Sequence, residues 1–365
     1  MNNVVEDGAL VITAPYRAEI RPLPRPDGPL VVRTIYSGVS LGTELSFYTG
    51  TNPTLSARLD PVLGLFVPTD TPGYPVTRVG YMEVARVESD TSPLALLPGT
   101  RVAMTYGHRT GWAADPLAER VVPLPDDLDP VVGVLVAHMG PICANGLLHA
   151  AAEEHGPDVR GLGDGVRGRR VAVIGAGTVG LLTALFARMH GAAEVVVIDP
   201  TKRRRDTAER LGLEGLDPDA ADPATVLKSR WRHGPGDRGA DVVLQCRGQL
   251  AALALALRLC RPQTTVIDLA FHTGGGHGDE LRLAQEFHHH GLGVRSAQIG
   301  RVPRGTDRHW DRERLSAETI TLLRAEGTPI RNHLISDILP LDDAPQLFAD
   351  VADRRRHVLQ AVLAV

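Results

Sequence analysis

Arg170-Val171-Ala172-Val173-Ile174-Gly175-Ala176-Gly177-Thr178-Val179-Gly180 is the stretch whose reading decides the fold. A short, unbroken apolar run ends on a G-x-G-x-x-G pattern, and the residues from there to about His190 read as helix. The three glycines have separate tasks. The first permits a tight turn, the second lets a pyrophosphate approach the backbone, and the third lets helix and strand pack closely. N–H groups and the dipole at the helix start favour phosphate there. Asp199 closes the next apolar run, 24 residues beyond Gly175, near the separation expected of a carboxylate that accepts ribose hydroxyls. Gly175, Gly177, Thr178, Val179, Gly180 and Asp199 are therefore the expected dinucleotide contacts. The Asp favours NAD, because a 2′-phosphate would face its charge. Arg203-Arg204-Arg205 keeps NADP open, with Arg204 the candidate contact.

Downstream, apolar runs at 194–199, 240–245, 264–269 and 292–298 alternate with helical patterns at 202–211 and 249–259. That rhythm predicts an α/β fold with a doubly wound parallel sheet. Ligands of such sheets sit at the carboxyl ends of the strands, so Cys246, Gly248, Ala270 and Phe271 should border the nicotinamide.

Upstream the chain reads as β-rich, with short strands at 31–36, 81–87, 100–104 and 119–122. A Pro/Gly-rich stretch, 51–78, reads as a long surface loop lining a pocket, and 131–152 as one continuous apolar helix. Residues 153–170 read as a connector and 357–363 as a closing strand. Two domains follow: a catalytic domain over 1–150 completed by 305–365, and a dinucleotide domain over 151–304.

Composition excludes several classes of function. The 365 residues are 43% hydrophobic and 22% charged, which is ordinary globular usage. A net charge of −4 supplies no basic field for nucleic acid or an anionic membrane. Lys202 and Lys228 are the only lysines, which leaves few candidates for Schiff-base chemistry. Three cysteines cannot make a disulfide framework and suggest a reducing compartment. The N-terminal residues do not read as a signal peptide, and no apolar run approaches a membrane span. The expectation is a cytoplasmic protein acting on a small molecule, with no nucleic-acid or membrane partner.

Pro98-Gly99-Thr100-Arg101-Val102, Gly239-Ala240-Asp241-Val242-Val243 and the run from Ile335 to Ala344 resemble turns and strands of the medium-chain dehydrogenase/reductase superfamily. That resemblance implies a GroES-like catalytic domain beside a Rossmann-type domain. Ser37-Gly38-Val39-Ser40-Leu41-Gly42-Thr43-Glu44 is similar to the SGIS-x-GTE motif of a zinc-lacking branch, which includes the bacteriochlorophyllide hydroxyethyl dehydrogenases. Phe287-His288-His289-His290-Gly291-Leu292, with Arg295-Ser296-Ala297-Gln298-Ile299-Gly300, is similar to the FHRRRL…RSSQVG signature of relatives in that branch.

The resemblance also shows where the zinc ligands of other members are missing. Ser40 and Leu41 stand at the first Cys, and Gly80-Tyr81-Met82 stands where Gly-His-Glu would be. The cysteines of a structural zinc lobe are absent, and Cys143 lies in a stretch similar to TALNGL. One soft ligand cannot hold zinc, so no metal is expected. The adjacent His288, His289 and His290 diverge on any regular element. His272 and His277 read as loop residues, although His272 follows the strand whose end should face the nicotinamide.

Without zinc, side chains have to hold the substrate oxygen and move its proton. Thr43 matches the hydroxyl of the superfamily's proton relay and reads equally as a helix N-cap. Glu44 is a possible base, or a residue that holds an Arg or a backbone amide. Tyr48 and Tyr81 carry hydroxyls that could polarise a carbonyl, and Tyr81 could instead simply fill the vacant metal position. Asn145 could contact the nicotinamide region or cap its helix. The expected activity is a zinc-independent, NAD(H)-dependent oxidoreductase for a secondary alcohol or its ketone. Alternatives are a conjugate or iminium reductase, a redox-neutral enzyme retaining NAD, and an inactive nucleotide-binding sensor. An exposed edge strand near 292–298 predicts a homodimer.

Overall fold

The computed structural model describes residues 5–69, 73–273 and 278–365. The chain divides into one unit of Met1–His138 with Ile335–Val365 and a second of Met139–Leu334. Both boundaries differ from those expected. Pro141 explains the first: its ring clashes with the Ala137 carbonyl and it has no N–H to bond it, so one helix cannot run through. The 131–152 pattern therefore breaks into a short helix, Pro130–Gly133, a turn, and a separate helix from Met139.

In the first unit the strands Ile335–Pro340, Gln360–Ala364, Leu30–Val39, Glu83–Asp90, Arg101–Met104 and Val122–Pro123 lie side by side in that order, with Gly111–Ala114 also paired to Leu30–Val39. Leu30–Val39 is the central strand. The expected strand at 119–122 shrinks to Val122–Pro123, because the turn at 115–119 closes through Asp115. A hairpin, Glu6–Ala14 with Arg17–Pro24, is added. Helix α1 (Leu41–Thr49) follows the central strand directly. One core gathers Leu10, Ile12, Val39, Tyr48, Leu347 and Phe348, and another gathers Leu30, Val32, Met104 and Tyr106.

The 51–78 stretch holds more order than a loop. Ala57–Leu59 and Phe66–Pro68 form a small antiparallel hairpin. Asp60 Oδ1 accepts the N–H groups of Val62 and Leu63 at its turn, while Val62, Leu63, Leu65 and Phe66 point into solvent. Residues 70–72 lie outside the described residues.

The second unit carries the parallel sheet. Its strands are β1 (Arg170–Ile174), β2 (Glu194–Ile198), β3 (Glu214–Leu216), β4 (Val242–Gln245), β5 (Thr265–Asp268) and β6 (Gly293–Ser296), in the order β3-β2-β1-β4-β5-β6. β3 is not legible as a strand, because three residues with one large apolar side chain give no period. The order reverses between β1 and β4, and that switch point is where a doubly wound sheet binds its ligand. Around the sheet run α2 (Met139–His155), α3 (Thr178–Met189), α4 (Lys202–Arg210), α5 (Leu250–Leu259) and α6 (Arg312–Pro329). A Cβ on Gly140 would fall 2.1 Å from the Thr319 side chain, so a glycine there lets α2 and α6 cross closely. That packing is why 139–150 and 305–334 belong to the second unit.

No helix among the described residues is long and apolar enough to cross a membrane. Trp231, fully buried in the core of the second unit, donates its indole N–H to Glu194 Oε2 at 3.1 Å. Trp231→Ala should lower stability by about 3–5 kcal/mol, read as a lower urea midpoint with intrinsic fluorescence as the probe.

Candidate active site

At the switch point the glycines do what the motif requires. Gly175 adopts φ +98°, and a Cβ on Gly180 would lie 1.7 Å from the Gly175 carbonyl oxygen, so no other residue fits at 180. The N-cap of α3 is Gly177, which has no side chain to bond the first-turn N–H groups, and nothing lies within 4 Å of its Cβ position. Thr178 and Val179 open that helix. This cradle fits a pyrophosphate.

Asp199 differs from the simple expectation. It is 1% exposed, Oδ2 accepts Ala176 N–H at 2.9 Å, and Oδ1 accepts Thr201 N–H at 2.8 Å. The carboxylate thus ties the glycine loop to the start of α4. Arg204 places Nη1 3.7 Å from Asp199 Oδ2. Across the switch point, Gly248 is required as a glycine, since a Cβ would meet the Phe271 carbonyl at 2.2 Å. Ala270 donates its N–H to Asp268, and Phe271 is half-exposed. Burial pushes the Cys246 thiol well up, so it holds its proton.

Asn145 lies within α2 and caps nothing. Its Nδ2 faces the carbonyls of Ala297, Gln298 and Arg301 at 3.3–3.4 Å, clamping the turn after β6. Its Oδ1 is buried without a partner.

The first unit builds a polar cluster where α1 leaves the central strand. Ser40, not Thr43, is the N-cap of α1, and Thr43 sits in its first turn. The Tyr81 hydroxyl donates to Ser40 Oγ and lies 3.4 Å from Thr43 Oγ1. The His138 ring packs against Tyr81 with centroids 4.5 Å apart. Burial above all, with the nearby Glu44 charge, pushes the Tyr81 phenol up to about 12. At neutral pH Tyr81 is a hydrogen-bond donor and not a base.

Beneath these hydroxyls, Glu44 Oε1 accepts Ser40 N–H at 2.8 Å and Oε2 meets His108 Nε2 at 2.9 Å. His108 Nδ1 lies 2.6 Å from Ser37 Oγ, which donates to Glu83 Oε1 at 2.9 Å. Ser37 has one hydrogen. If it goes to Glu83, His108 must carry protons on both nitrogens. With the proton on Glu83 instead, Ser37 donates to Nδ1 and the same contacts hold. One proton is therefore shared along Glu83–Ser37–His108. Burial pulls His108 down, but Glu44 and Glu83 outweigh it and its pKa is raised; burial raises Glu83. Ser37, His108 and Glu44 have the composition of a hydrolytic triad, yet Ser37 is fully buried and no substrate can reach it.

Tyr48 stands apart from this cluster. Its hydroxyl donates to the Tyr16 carbonyl at 3.1 Å and its ring packs on Tyr16 and Phe348, so it belongs to the core. Ser37, Glu83, His108 and His138 escaped sequence reasoning. Their coupling shows only in the fold: Gly80 has φ +96°, and a Cβ there would strike the His108 ring at 2.7 Å. Among the described residues no three His, Cys, Asp or Glu side chains converge as metal ligands. His288, His289 and His290 lie on the short helix Glu286–His290, and His277 lies outside the described residues.

Residues 178–309 match the family model for zinc-binding dehydrogenases. D-guloside 3-dehydrogenase of Escherichia coli is 27% identical over 185 residues, 50% of this chain and 51% of that protein. D-xylulose reductase of Saccharomyces cerevisiae is 31% identical over 103 residues, 28% of this chain and 29% of that protein. The aligned region thus spans about half the length of the first of these relatives. A Sinorhizobium meliloti protein assigned as a zinc-binding dehydrogenase, solved with NADP, superposes with a TM-score of 0.72 at 21% identity, covering 99% of this chain and 100% of that one. 2R,3R-butanediol dehydrogenase of Bacillus subtilis gives 0.70 at 18% identity, covering 98% and 99%. Residues 178–309 are thus similar to zinc-binding dehydrogenases, and the chain has the fold of the solved dehydrogenases on which it superposes.

Two measurements check the cluster. A phenol ionising near 12 should vanish from the ultraviolet titration in Tyr81→Phe. The stabilisation from His108 is whole below the ordinary imidazole pKa and is lost as pH rises through the raised one. His108→Gln should therefore lower the melting temperature most on the acid side and flatten its fall as pH rises above the ordinary imidazole value of about 6.5.

Proposed function

We propose that the protein is a zinc-independent, NAD(H)-dependent oxidoreductase that interconverts a secondary alcohol and its ketone on a small molecule. The observation that carries this reading is the hydroxyl cluster of Tyr81, Ser40 and Thr43, on the two segments where the resemblance to the superfamily implies zinc ligands in other members. A nicotinamide, when bound, supplies the hydride acceptor or donor. Tyr81 keeps its proton and, with substrate bound, turns it from Ser40 Oγ to the substrate oxygen while the Ser40 hydroxyl donates to the phenol in return, the task a metal would otherwise perform. Ser40 and Thr43 orient that hydroxyl. Glu44 fixes the Ser40 backbone beneath it.

The glycine cradle and α3 hold the pyrophosphate. Asp199 favours NAD, but Arg204 beside it offsets its charge and gives a 2′-phosphate a partner, so discrimination should be modest. The assembly proposed is a homodimer in which β6, the edge strand of the parallel sheet, pairs with its copy.

NADH should bind with less than about tenfold preference over NADPH in fluorescence titration, and Arg204→Ala should widen that preference. The purified protein should hold zinc well below one per chain by elemental analysis, and Tyr81→Phe should lower kcat about 100-fold with NADH affinity unchanged. Stoichiometric zinc, or a Tyr81→Phe enzyme as fast as the parent, would overturn the reading.

A further inference from the structure

Away from the switch point, the second unit holds a half-buried cation with no anion. Lys228, on the helix Pro223–Arg230, donates from Nζ to the Cys260 carbonyl at 2.7 Å. The acids of this region are engaged elsewhere. Asp237 is held by two nitrogens of Arg261, Asp222 takes Arg258 through both oxygens at 2.9 Å, and Glu286 lies 3.8 Å from Arg258 Nε. Among the described residues no carboxylate pairs with the Lys228 ammonium. Burial above all pulls its pKa below the ordinary lysine value. An ammonium in that position has lost solvation that an anion would restore.

Lys228 lines a cleft of about 220 Å³ with Thr225, Ser229, Arg238, Arg258 and Glu286. Arg238 is exposed, on the hairpin of Arg232–Gly234 with Asp237–Arg238, and among the described residues its guanidinium bonds nothing. The Ser229 hydroxyl is equally free, whereas Thr225 donates its own to Asp222 at 2.6 Å. Arg258 and Glu286 also stand in the wall of a larger cleft of about 720 Å³, so the two adjoin there. Ala254, Leu255 and Phe287 give the larger cleft an apolar wall, and Glu280 and Arg282 add its other charges. Cys260 pairs with Ala240 just ahead of β4, which puts the Lys228 end at the amino ends of the strands. The glycine cradle lies at their carboxyl ends, so this is not the dinucleotide crevice.

We propose that the two clefts together bind a phosphate monoester with an apolar body: Lys228, Arg238 and the Ser229 hydroxyl take the phosphate, and the body lies against Leu255 and Phe287. The donor set selects the head group. An ammonium supplies a compact charge with hydrogens to spare beside the one on Cys260, a guanidinium supplies a planar fork, and a hydroxyl adds a third donor. A carboxylate offers two oxygens to such a set, and a phosphate monoester offers three with more charge. The larger cleft has the size of a small-molecule site and gives apolar surface that inorganic phosphate cannot use.

The chain has only two lysines, so carbon-13 at lysine Cε in the full chain gives two resonances, assigned by Lys202→Arg. Lys202 opens α4, beyond Asp199, and reports on the glycine cradle. Phenyl phosphate should move the Lys228 resonance with a Kd of about 1 mM or below, and inorganic phosphate should bind about tenfold more weakly. Bound phenyl phosphate should raise the Lys228 titration midpoint by about half a pH unit or more, because the anion stabilises the ammonium. Arg238→Gln, a change at an exposed side chain, should weaken phenyl phosphate about tenfold and leave the melting temperature within about one degree. A Lys228 resonance indifferent to about 20 mM phenyl phosphate overturns the proposal, as do a response at Lys202 alone and full affinity in Arg238→Gln. Equal affinity for the two phosphates overturns the assignment of the apolar body.

Discussion

A carboxylate and an imidazole 2.9 Å apart, neither more than 2% exposed, leave nothing to water. Every remaining lone pair and proton must find a protein partner, and in the first unit that requirement reaches far along the chain. The second oxygen of Glu44 takes the Ser40 amide, which sets where α1 begins. The second nitrogen of His108 takes Ser37, which engages Glu83 across two paired strands. Gly80 is held to a glycine because the imidazole occupies the space a side chain would need. Tyr81 follows at once, so the placement of its hydroxyl is a consequence of how the buried pair is accommodated.

Local constraints were the legible ones. Gly180 announces itself because the Gly175 carbonyl leaves no room for a Cβ, and that collision lies within six residues of backbone. The apolar runs of β1 and β4 were readable because strands buried on both faces have no polar alternation to confuse them. β3 and the hairpin at 57–68 were not, since three-residue strands have no period.

The site divides along the same line. Thr43, Glu44 and Tyr81 could be proposed because they fall within short motifs. Ser37, Glu83 and His108 meet only through sheet pairing, from positions up to 71 residues apart, and a single His in a Gly-flanked turn gives no local hint. Tyr48 shows the converse error. One helical turn beyond Glu44, its hydroxyl suggested chemistry, yet the ring fills the core against Phe348. Asp199 was read as a ligand-facing acid, but its oxygens both hold backbone amides, so the carboxylate shapes the loop before it meets any ligand.

The central strand, Leu30–Val39, pairs on one edge with Gln360–Ala364, which lies more than 300 residues later in the chain. During synthesis the whole parallel-sheet unit emerges from the ribosome before that partner does. One edge of the strand carrying Ser37 must therefore wait, unpaired, until that partner has been made. The polar cluster beside it is closed from that side only once Gln360–Ala364 has been made, whereas every strand of the parallel sheet is by then available to pair.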